Sequence, residues 1–177
     1  MLDKKEIRKE IKMRKRQFSE IQLKELSLTI INKLLQHPRI KNAKTILMYY
    51  SLPDEVYTHN AITQLINEGK TILLPVVLDN YRMELHKYTG SEDMHNGAFN
   101  IKEPSGEKYT AFEKIDVAVI PAVAYDSTGN RVGRGKGYYD RFLNNIPNTY
   151  KIGICFDFQK FSEIQTDTND IPVDEVI

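Results

Sequence analysis

The chain has little cysteine, few glycines and prolines, and almost no net charge. Its 177 residues include one cysteine, Cys155, which excludes an internal disulfide. The apolar setting of Cys155 predicts an unreactive buried thiol in a reducing compartment. With only 9 glycines and 7 prolines, the composition is that of a chain that folds without a partner. The net charge of +1 argues against a protein that binds polyanions over its whole surface.

Long hydrophobic runs are missing as well. No run approaches the roughly 20 apolar residues of a transmembrane helix. The amino terminus is charged from Asp3 onward, unlike the apolar core of a signal peptide. These absences predict a soluble, cytoplasmic protein with no membrane partner. The length fits one domain that covers residues 1–177 and buries most of its apolar surface.

What the chain does contain is an alternation of helical and strand patterns. Helices are predicted over residues 3–18, 20–36, 58–69 and 138–143. Strands are predicted over residues 45–50, 70–78, 82–88, 115–124, 151–156 and 171–177, whereas residues 89–114 show neither pattern. Strands separated by helices predict an α/β domain with a mainly parallel central sheet, flanked by helices and led by a helical pair.

Helix boundaries are also visible in the sequence. Ser19 is a suitable N-cap for the second helix, and Pro38 predicts where that helix stops. Its apolar stripe, which is expected to face the core, comprises Leu23, Leu26, Ile30 and Leu34. Thr58 is a suitable cap for the third helix.

Glycine is concentrated in one stretch after the most apolar predicted strand. Four of the nine glycines lie there: Gly129, Gly133, Gly135 and Gly137. Glycine allows positive φ and close approach of the backbone, so such a loop can point several N–H groups at one anion. The helix predicted after the loop adds further free N–H groups. Arg134 and Lys136 supply two cations beside the loop, and the sequence therefore predicts a nucleotide-phosphate site.

Two known phosphate-binding patterns do not fit this stretch. A P-loop requires Ser or Thr after its Gly-Lys pair, but Gly137 follows Lys136. The dinucleotide fingerprint requires G-x-G-x-x-G, whereas the spacing here is G-x-G-x-G. The simpler alternative is a surface turn with two solvated cations. The apolar strand before the loop and the helix after it favour a ligand site at the carboxyl end of the sheet.

Several other charged residues could serve the same site. Asp140 lies one helical turn beyond the loop's lysine, which fits either a Mg²⁺ ligand beside phosphates or an ordinary ion pair. Lys4 and Arg8 share one face of the first helix, which could close over phosphates, touch RNA or simply be solvated. By sequence alone, Glu55 and Asp174 are surface acids.

The glycine-rich stretch also resembles a known family. PAVAYD at residues 121–126, Gly129 and RVGRGKGYYDRFL at residues 131–143 resemble the 5-formyltetrahydrofolate cyclo-ligase (methenyltetrahydrofolate synthetase) family. The resemblance continues in the same order through SLPDE at 51–55, EGK at 68–70, LPV at 74–76 and GAFNIKEP at 97–104. Two positions depart from the family's usual pattern, because Ala122 replaces a glycine and Asn169 replaces a histidine.

The resemblance implies a Rossmann-like three-layer α/β fold of the class of ribose-5-phosphate isomerase and CoA transferases. It also implies an ATP- and Mg²⁺-dependent enzyme that converts 5-formyltetrahydrofolate into 5,10-methenyltetrahydrofolate. We expect a monomer with no nucleic-acid partner. In this family ATP phosphorylates the formyl oxygen, the anilino nitrogen attacks the activated carbon, and phosphate leaves. The protein must then position the substrates and neutralise charge on the transferred phosphoryl group.

The resemblance further implies roles for residues of this sequence. ATP is expected to contact Lys4, Arg8, Gly133, Arg134, Gly135, Lys136, Gly137, Tyr138 and Tyr139. Of these, Arg134, Lys136 and Tyr138 are expected to be catalytic. The folate is expected to lie against Tyr50, Glu55, Arg134 and Tyr138. Mg²⁺ is expected to be supported by Asp140 and Asp174.

Two other functions are compatible with the residues. An RNA-binding or ribosome-associated protein could use the basic amino-terminal helix, but its cations stop at residue 16 and lack interleaved aromatic residues. A phosphosugar isomerase or another phosphotransferase could share the phosphate site, but the loop carries no obvious acid–base pair. Salt-sensitive polyanion binding without turnover would indicate the first, and turnover without a folate would indicate the second.

Overall fold

The helices and strands follow the predicted α/β pattern. The computed structural model describes residues 1–79, 82–97 and 102–177, except the side chain of Asp93, so part of the GAFNIKEP run, residues 98–101, lies outside the described residues. The helices are α1 (Lys4–Lys15), α2 (Glu20–Gln36), α3 (Pro38–Asn42), α4 (His59–Asn67) and α5 (Tyr138–Leu143). The strands are β1 (Thr45–Leu47), β2 (Thr71–Val77), β3 (Met83–Lys87), β4 (Met94–Asn96), β5 (Lys102–Pro104), β6 (Lys108–Tyr109), β7 (Val117–Ile120), β8 (Ala124–Asp126), β9 (Arg131–Val132), β10 (Tyr150–Gly153), β11 (Lys160–Phe161) and β12 (Glu175–Val176). Short 3₁₀ helices occur at Ser91–Asp93, Phe112–Lys114 and Asp157–Gln159.

The central sheet is mainly parallel, as predicted. Its strand order is β12-β10-β7-β1-β2-β3-β6, and all neighbours from β12 to β2 are parallel. β3 and β6 add antiparallel strands at one edge. The chain enters at β1 in the middle of the sheet, builds outward to β6 and then returns to place β7 on the other side of β1. The order therefore reverses between β1 and β7, and open α/β sheets bind ligands at such a reversal.

Side chains of the central sheet alternate between two apolar layers. In β1, Ile46 belongs to the layer that contains Leu34 of α2 and Ile62 of α4. Its neighbour Leu47 belongs to the opposite layer, which contains Phe142 of α5. All four residues of β7 are buried, as expected of a strand with both faces covered. The fold is therefore a sheet between two layers of helices.

A second, smaller sheet holds α1 against the rest of the protein. β8 pairs antiparallel with β9 and parallel with β11. Ile7 and Ile11 of α1 pack there with Ala124, Val132 and Ile164. Because these apolar residues fix one face of α1, an adjacent face with two of its cations lies beside the glycine-rich stretch that follows β9.

The structure corrects two strand predictions. Residues 115–124 do not form one strand: β7 and β8 belong to different sheets, because Pro121, Ala122 and Val123 leave the sheet between them and line a cleft. The segment 89–114 is not wholly irregular, since it contains β4, β5 and β6. These strands have two or three residues each, too few to show an alternating pattern in the sequence.

The second helix ends where Pro38 predicts, since α2 stops at Gln36. Pro38 then begins α3, because the first turn of a helix does not need its missing N–H. The structure corrects two other helix predictions. Leu26 is 44% exposed, so the apolar stripe of α2 is narrower than predicted. Thr58 precedes α4 without capping it, since its hydroxyl donates to the Tyr49 carbonyl at 2.7 Å. No helix in the described residues is long and apolar enough to cross a membrane.

Candidate active site

A cleft of about 850 Å³ opens at the carboxyl ends of the parallel strands. Tyr49 and Tyr50, which follow β1, and Pro121 and Ala122, which follow β7, line its inner side. Other walls come from α1, the end of β2 and the glycine-rich loop. Cavities of this size hold small-molecule ligands, and the cleft lies where the strand order reverses.

The cleft brings together residues that lie far apart in the sequence. Those predicted from the sequence that line it are Lys4, Arg8, Tyr50, Glu55, Gly133, Arg134, Gly135, Lys136, Gly137, Tyr138, Tyr139 and Asp140. Asp174 does not line it. Three separate segments, the amino-terminal helix, the turn after β1 and the glycine-rich loop, therefore meet around one cavity.

The glycine-rich loop, residues 133–137, connects β9 to α5. Gly135 and Gly137 have φ angles of 102° and 72°, which residues with a side chain rarely adopt. The Gly133 carbonyl accepts a hydrogen bond from Nε of Arg8 at 2.8 Å, so α1 is fixed directly to the loop. The Lys136 side chain remains exposed at the cleft. The loop is thus held by its backbone while this cation stays free to meet a ligand.

Lys4 is held at the cleft by two acids from the carboxyl-terminal part of the chain. Its ammonium group contacts the Asp170 carboxylate and lies 3.3 Å from Oδ2 of Asp167. Burial lowers the pKa of Lys4, but the hydrogen bonds and charges of these two acids more than offset it and raise the pKa above its usual 10.5. Lys4 is therefore a permanent cation at the edge of the cleft.

Arg134 spans the cleft from the glycine-rich loop to the turn after β1. Its Nη2 lies 3.6 Å from both Asp54 Oδ1 and Glu55 Oε2. Lys15 of α1 also reaches Asp54, at 3.2 Å. Burial raises the pKa of Glu55, while the Arg134 charge and the Leu52 N–H that Glu55 accepts at 2.8 Å partly counteract it. Glu55 is therefore a carboxylate in a dry setting, and its partner is a cation that a phosphate could attract.

Arg131 and Asp140 form an ion pair beneath the loop. Arg131 Nη2 lies 3.0 Å from Asp140 Oδ1, and the same oxygen accepts the Ile171 N–H at 3.2 Å. Among the described residues, two buried side-chain atoms lack a hydrogen-bond partner, Arg131 Nε and Tyr138 Oη. Both residues line the cleft. Buried polar atoms without partners lower stability, so their position here indicates a place for ligand atoms.

This geometry can be compared with known proteins. A model of the 5-formyltetrahydrofolate cyclo-ligase family matches residues 1–177. The chain belongs to this family. It is therefore an enzyme, a cyclo-ligase, and ATP is the co-substrate that the family uses.

Relatives of this cyclo-ligase match it along its whole length. The mouse 5-formyltetrahydrofolate cyclo-ligase is 30% identical over 184 residues, which cover 97% of this chain and 91% of the mouse protein. The solved structure of Aquifex aeolicus 5,10-methenyltetrahydrofolate synthetase is similar with a TM-score of 0.83 and 34% identity, over 98% of this chain and 88% of that one. The Mycoplasma pneumoniae synthetase has a TM-score of 0.80 and 26% identity, over 99% and 98% of the two chains. The family model spans every segment that lines the cleft.

The carboxylates of the cyclo-ligase fit Mg²⁺ together with phosphate. Asp140, Asp167 and Asp170 line the cleft. No group of three or more His, Cys, Asp or Glu residues in the described part of the chain could hold a metal ion by itself. Mg²⁺ usually binds through one or two carboxylates and the phosphate oxygens of its substrate. The available donors therefore fit a Mg²⁺–nucleotide complex at Asp140.

Asp174 lies elsewhere in the cyclo-ligase. Its carboxylate accepts the Lys151 N–H at 2.8 Å, and its own N–H donates to the Lys151 carbonyl at 2.9 Å. These contacts hold it near the amino end of β10, whereas the cleft is at the carboxyl end of the strands. The structure thus does not bring Asp174 together with Asp140 as the sequence-based hypothesis expects.

Aromatic and aliphatic side chains form another wall of the cleft. The Tyr50 ring stacks on His59 with 3.6 Å between ring centroids, and His59 Nε2 lies 2.9 Å from the Ser51 carbonyl. Burial lowers the pKa of His59, so the neutral ring donates from Nε2 and its face supports Tyr50. The aliphatic part of the wall comprises Leu74, Pro75, Val77 and Met83. Such a wall suits a flat heteroaromatic ring.

Sequence reasoning missed several polar residues that line the cleft. Among them are Arg131, Arg141, Asn144, Asp167 and Asp170. Arg131 and Arg141 flank the glycines, and this proximity was the available signal. Asp167 and Asp170 gave none, because their partner Lys4 is more than 160 residues away in the sequence.

Proposed function

We propose that this enzyme converts 5-formyltetrahydrofolate into 5,10-methenyltetrahydrofolate and releases ADP and phosphate, in a reaction that depends on ATP and Mg²⁺. Relatives that match along the whole chain carry the names of this reaction. The observation that carries the proposal is the cleft itself. Its cationic glycine-rich loop suits a triphosphate, and the largely buried Glu55 and the Tyr50 wall suit a folate ring.

The chemistry requires activation of a poor leaving group. The formyl oxygen attacks the γ-phosphorus of ATP, and the bond to ADP breaks. The anilino nitrogen of the folate then attacks the activated formyl carbon and loses its proton. The C–O bond breaks toward phosphate, which leaves with the electron pair, and the methenyl bridge remains. The protein has to hold both substrates in line and stabilise charge on the transferred phosphoryl group.

We assign these two tasks, substrate binding and charge neutralisation, to different lining residues. We assign Lys4 and Arg8 to ATP from α1, and the backbone from Gly133 to Tyr139 to the triphosphate. Arg134 and Lys136 would neutralise the transferred phosphoryl group. The unpartnered Tyr138 hydroxyl would hydrogen-bond near the reacting formyl group. Each of these residues lines the cleft.

Asp140 is the residue proposed to support Mg²⁺, together with phosphate oxygens of ATP. The ion would supply positive charge against the triphosphate. Asp174 remains the second candidate from the sequence, and supporting the same ion would require it to leave its contacts with Lys151. Comparing the Mg²⁺ requirement of Asp174→Asn with that of Asp140→Asn would separate the two.

The rival functions fit the site less well. Two cations of the basic helix, Lys4 and Arg8, are engaged at the cleft and are not presented outward as an RNA-binding face requires. A phosphosugar isomerase or another phosphotransferase would not require the Tyr50 wall. We therefore propose that the enzyme has no nucleic-acid or membrane partner. We further propose that it is a cytoplasmic monomer.

The test is an absorbance assay with the purified protein, 5-formyltetrahydrofolate, ATP and Mg²⁺. The methenyl product is more conjugated than the substrate and absorbs at longer wavelength. Growth of this band that requires both ATP and the folate is the expected result. A folded protein that binds ATP and produces no such band would contradict the folate reaction and leave only a phosphate site.

Glu55→Gln is expected to raise KM for 5-formyltetrahydrofolate about 10- to 100-fold, because a charge-assisted hydrogen bond to the folate is lost. KM for ATP should change less than about 3-fold, because Glu55 reaches the phosphate loop only through its 3.6 Å contact with the exposed Arg134. Steady-state kinetics with each substrate varied in turn would show this split. An equal rise of both KM values would place Glu55 outside the folate site.

The pH dependence gives a second measurement on Glu55. Burial raises its pKa above the usual 4.5, so the carboxylate that holds the folate is lost at a higher pH than for an exposed acid. The acidic limb of kcat/KM for the folate should therefore lie above pH 4.5 in the wild type and vanish in Glu55→Gln. The free energy of unfolding should instead rise as the pH falls, because the folded state binds the Glu55 proton more tightly than the unfolded state does. Asp54→Asn, which removes the neighbouring half-exposed acid, should retain the limb.

A further inference from the structure

Arg131 carries a buried charge that none of the roles assigned above uses. Its side chain is 4% exposed, and it lies on β9 immediately before the glycine-rich loop. Nη2 makes the ion pair with Asp140 at 3.0 Å, whereas the buried Nε has no hydrogen-bond partner among the described residues. A buried guanidinium normally has its N–H groups paired. The hydrogen-bonding capacity of Arg131 is therefore only partly used.

Asp140, the other half of the pair, has one oxygen already in use. Its Oδ1 accepts from Arg131 and also from the Ile171 N–H at 3.2 Å. A metal ion at Asp140 would compete with the guanidinium for the carboxylate and would be repelled by its charge. The described residues also offer no three-residue cluster that could hold the ion without phosphate. Free metal should consequently bind poorly.

Arg131 also lies close to the place where phosphates are expected. A Cβ added to Gly133 would be 3.3 Å from Arg131 Nη1, so the guanidinium lies against the backbone of the glycine-rich loop. A phosphate on that loop would offer acceptors to Nη2 and to the unpaired Nε. It would also bring the negative charge that a metal ion at Asp140 needs.

We propose that the Arg131–Asp140 ion pair keeps free metal off Asp140 and opens only to a metal–nucleotide complex, whose phosphates accept the released Arg131. The inference rests on the proposed function, in which Asp140 supports Mg²⁺. Breaking a buried ion pair is costly unless both partners find replacements, and the nucleotide complex supplies one for each. Arg131 thereby makes metal uptake depend on nucleotide.

The test measures Mn²⁺ binding from the electron paramagnetic resonance signal of the free ion, with and without a non-hydrolysable ATP analogue. Wild-type protein should bind Mn²⁺ at least about 10-fold more weakly without the analogue than with it. Arg131→Gln should bind Mn²⁺ at least about 10-fold more tightly than the wild type when nucleotide is absent. Its affinity for the analogue should fall about 10-fold, because a charge-assisted contact is lost.

Arg141→Gln is the matched control. Arg141 lines the same cleft, but it is exposed and its guanidinium reaches the Lys136 carbonyl. Removing its charge should change nucleotide-free Mn²⁺ affinity less than about 2-fold, because salt screens exposed charges. The double variant Arg131→Gln/Asp140→Asn should lose the Mn²⁺ binding that Arg131→Gln gains.

Two outcomes would overturn the proposal. One is equal Mn²⁺ affinity of the wild type with and without the analogue, and the other is a gain in Arg131→Gln no larger than in Arg141→Gln. If Arg131→Gln does not fold, two measurements still test the proposal. One is the wild-type comparison with and without the analogue. The other is Arg131→Lys, which keeps the charge and should bind Mn²⁺ like the wild type. The Mn²⁺ measurement does not require turnover of 5-formyltetrahydrofolate. A failure of the ion-pair proposal is therefore distinguishable from a failure of the proposed reaction.

Discussion

Lys136→Ala is expected to lower kcat/KM for ATP about 100- to 1,000-fold. The ammonium group stands on the glycine-rich loop, where the transferred phosphoryl group is proposed to lie. A fixed charge aimed at a developing phosphoryl charge acts more strongly in the transition state than in the ground state, so kcat should fall together with kcat/KM. The free energy of unfolding should change by less than about 0.5 kcal/mol, because the side chain is exposed.

The methenyl absorbance assay and a urea unfolding curve, run on the same preparation, measure both effects. Lys12→Ala is the control, since Lys12 is an exposed lysine of α1 that does not line the cleft. It should keep wild-type kinetics. Lys136→Arg should recover part of the activity, because it restores the charge with a different geometry. A loss below about 3-fold in Lys136→Ala would exclude Lys136 from the phosphoryl site.

Parts of the fold that depend on neighbouring residues could be predicted from the sequence. Ser19 caps α2, and its side chain and that of Gln22 bond reciprocally to each other's backbone N–H groups, an interaction over three residues. The strand β7 is predicted by its four consecutive apolar residues. The three-stranded sheet could not be predicted, because β11 has two residues and pairs Lys160 with Tyr125, which lie far apart in the sequence. Such pairing is decided by tertiary packing.

The same distinction applies to the cleft. The glycine spacing located the loop, because close backbone approach and positive φ require glycine. Arg131 was not identified, since an arginine in a sequence is expected at the surface, and only the fold shows that this one is buried beside Asp140. Asp174 was placed by resemblance alone. The structure gives its carboxylate a backbone partner at Lys151, away from the cleft.

Gly129→Ala is expected to lower the free energy of unfolding by about 3–4 kcal/mol, the largest stability effect among these variants. Gly129 has a φ of 87°, and this conformation costs a residue with a side chain about 1–2 kcal/mol. An added Cβ would also lie 2.1 Å from the Val173 carbonyl oxygen, a backbone atom that cannot rotate away. Separating the two segments would break the hydrogen bond from the Val173 N–H to the Gly129 carbonyl, 2.9 Å, which contributes about 1 kcal/mol.

Gly69→Ala measures the cost of a positive φ angle alone, without a steric clash of the added Cβ. Gly69 has a φ of 86°, but nothing lies within 4 Å of an added Cβ, so it should lose only about 1–2 kcal/mol in the same urea titration. Equal losses in the two variants would show that the contact with Val173 is not rigid. Folded Gly129→Ala should also bind ATP more weakly, whereas Gly69→Ala should not. The turn at Gly129, whose N–H groups at Thr128 and Asn130 donate to Asp126, leads directly into β9 and the glycine-rich loop, so its position determines where the phosphate-binding backbone lies.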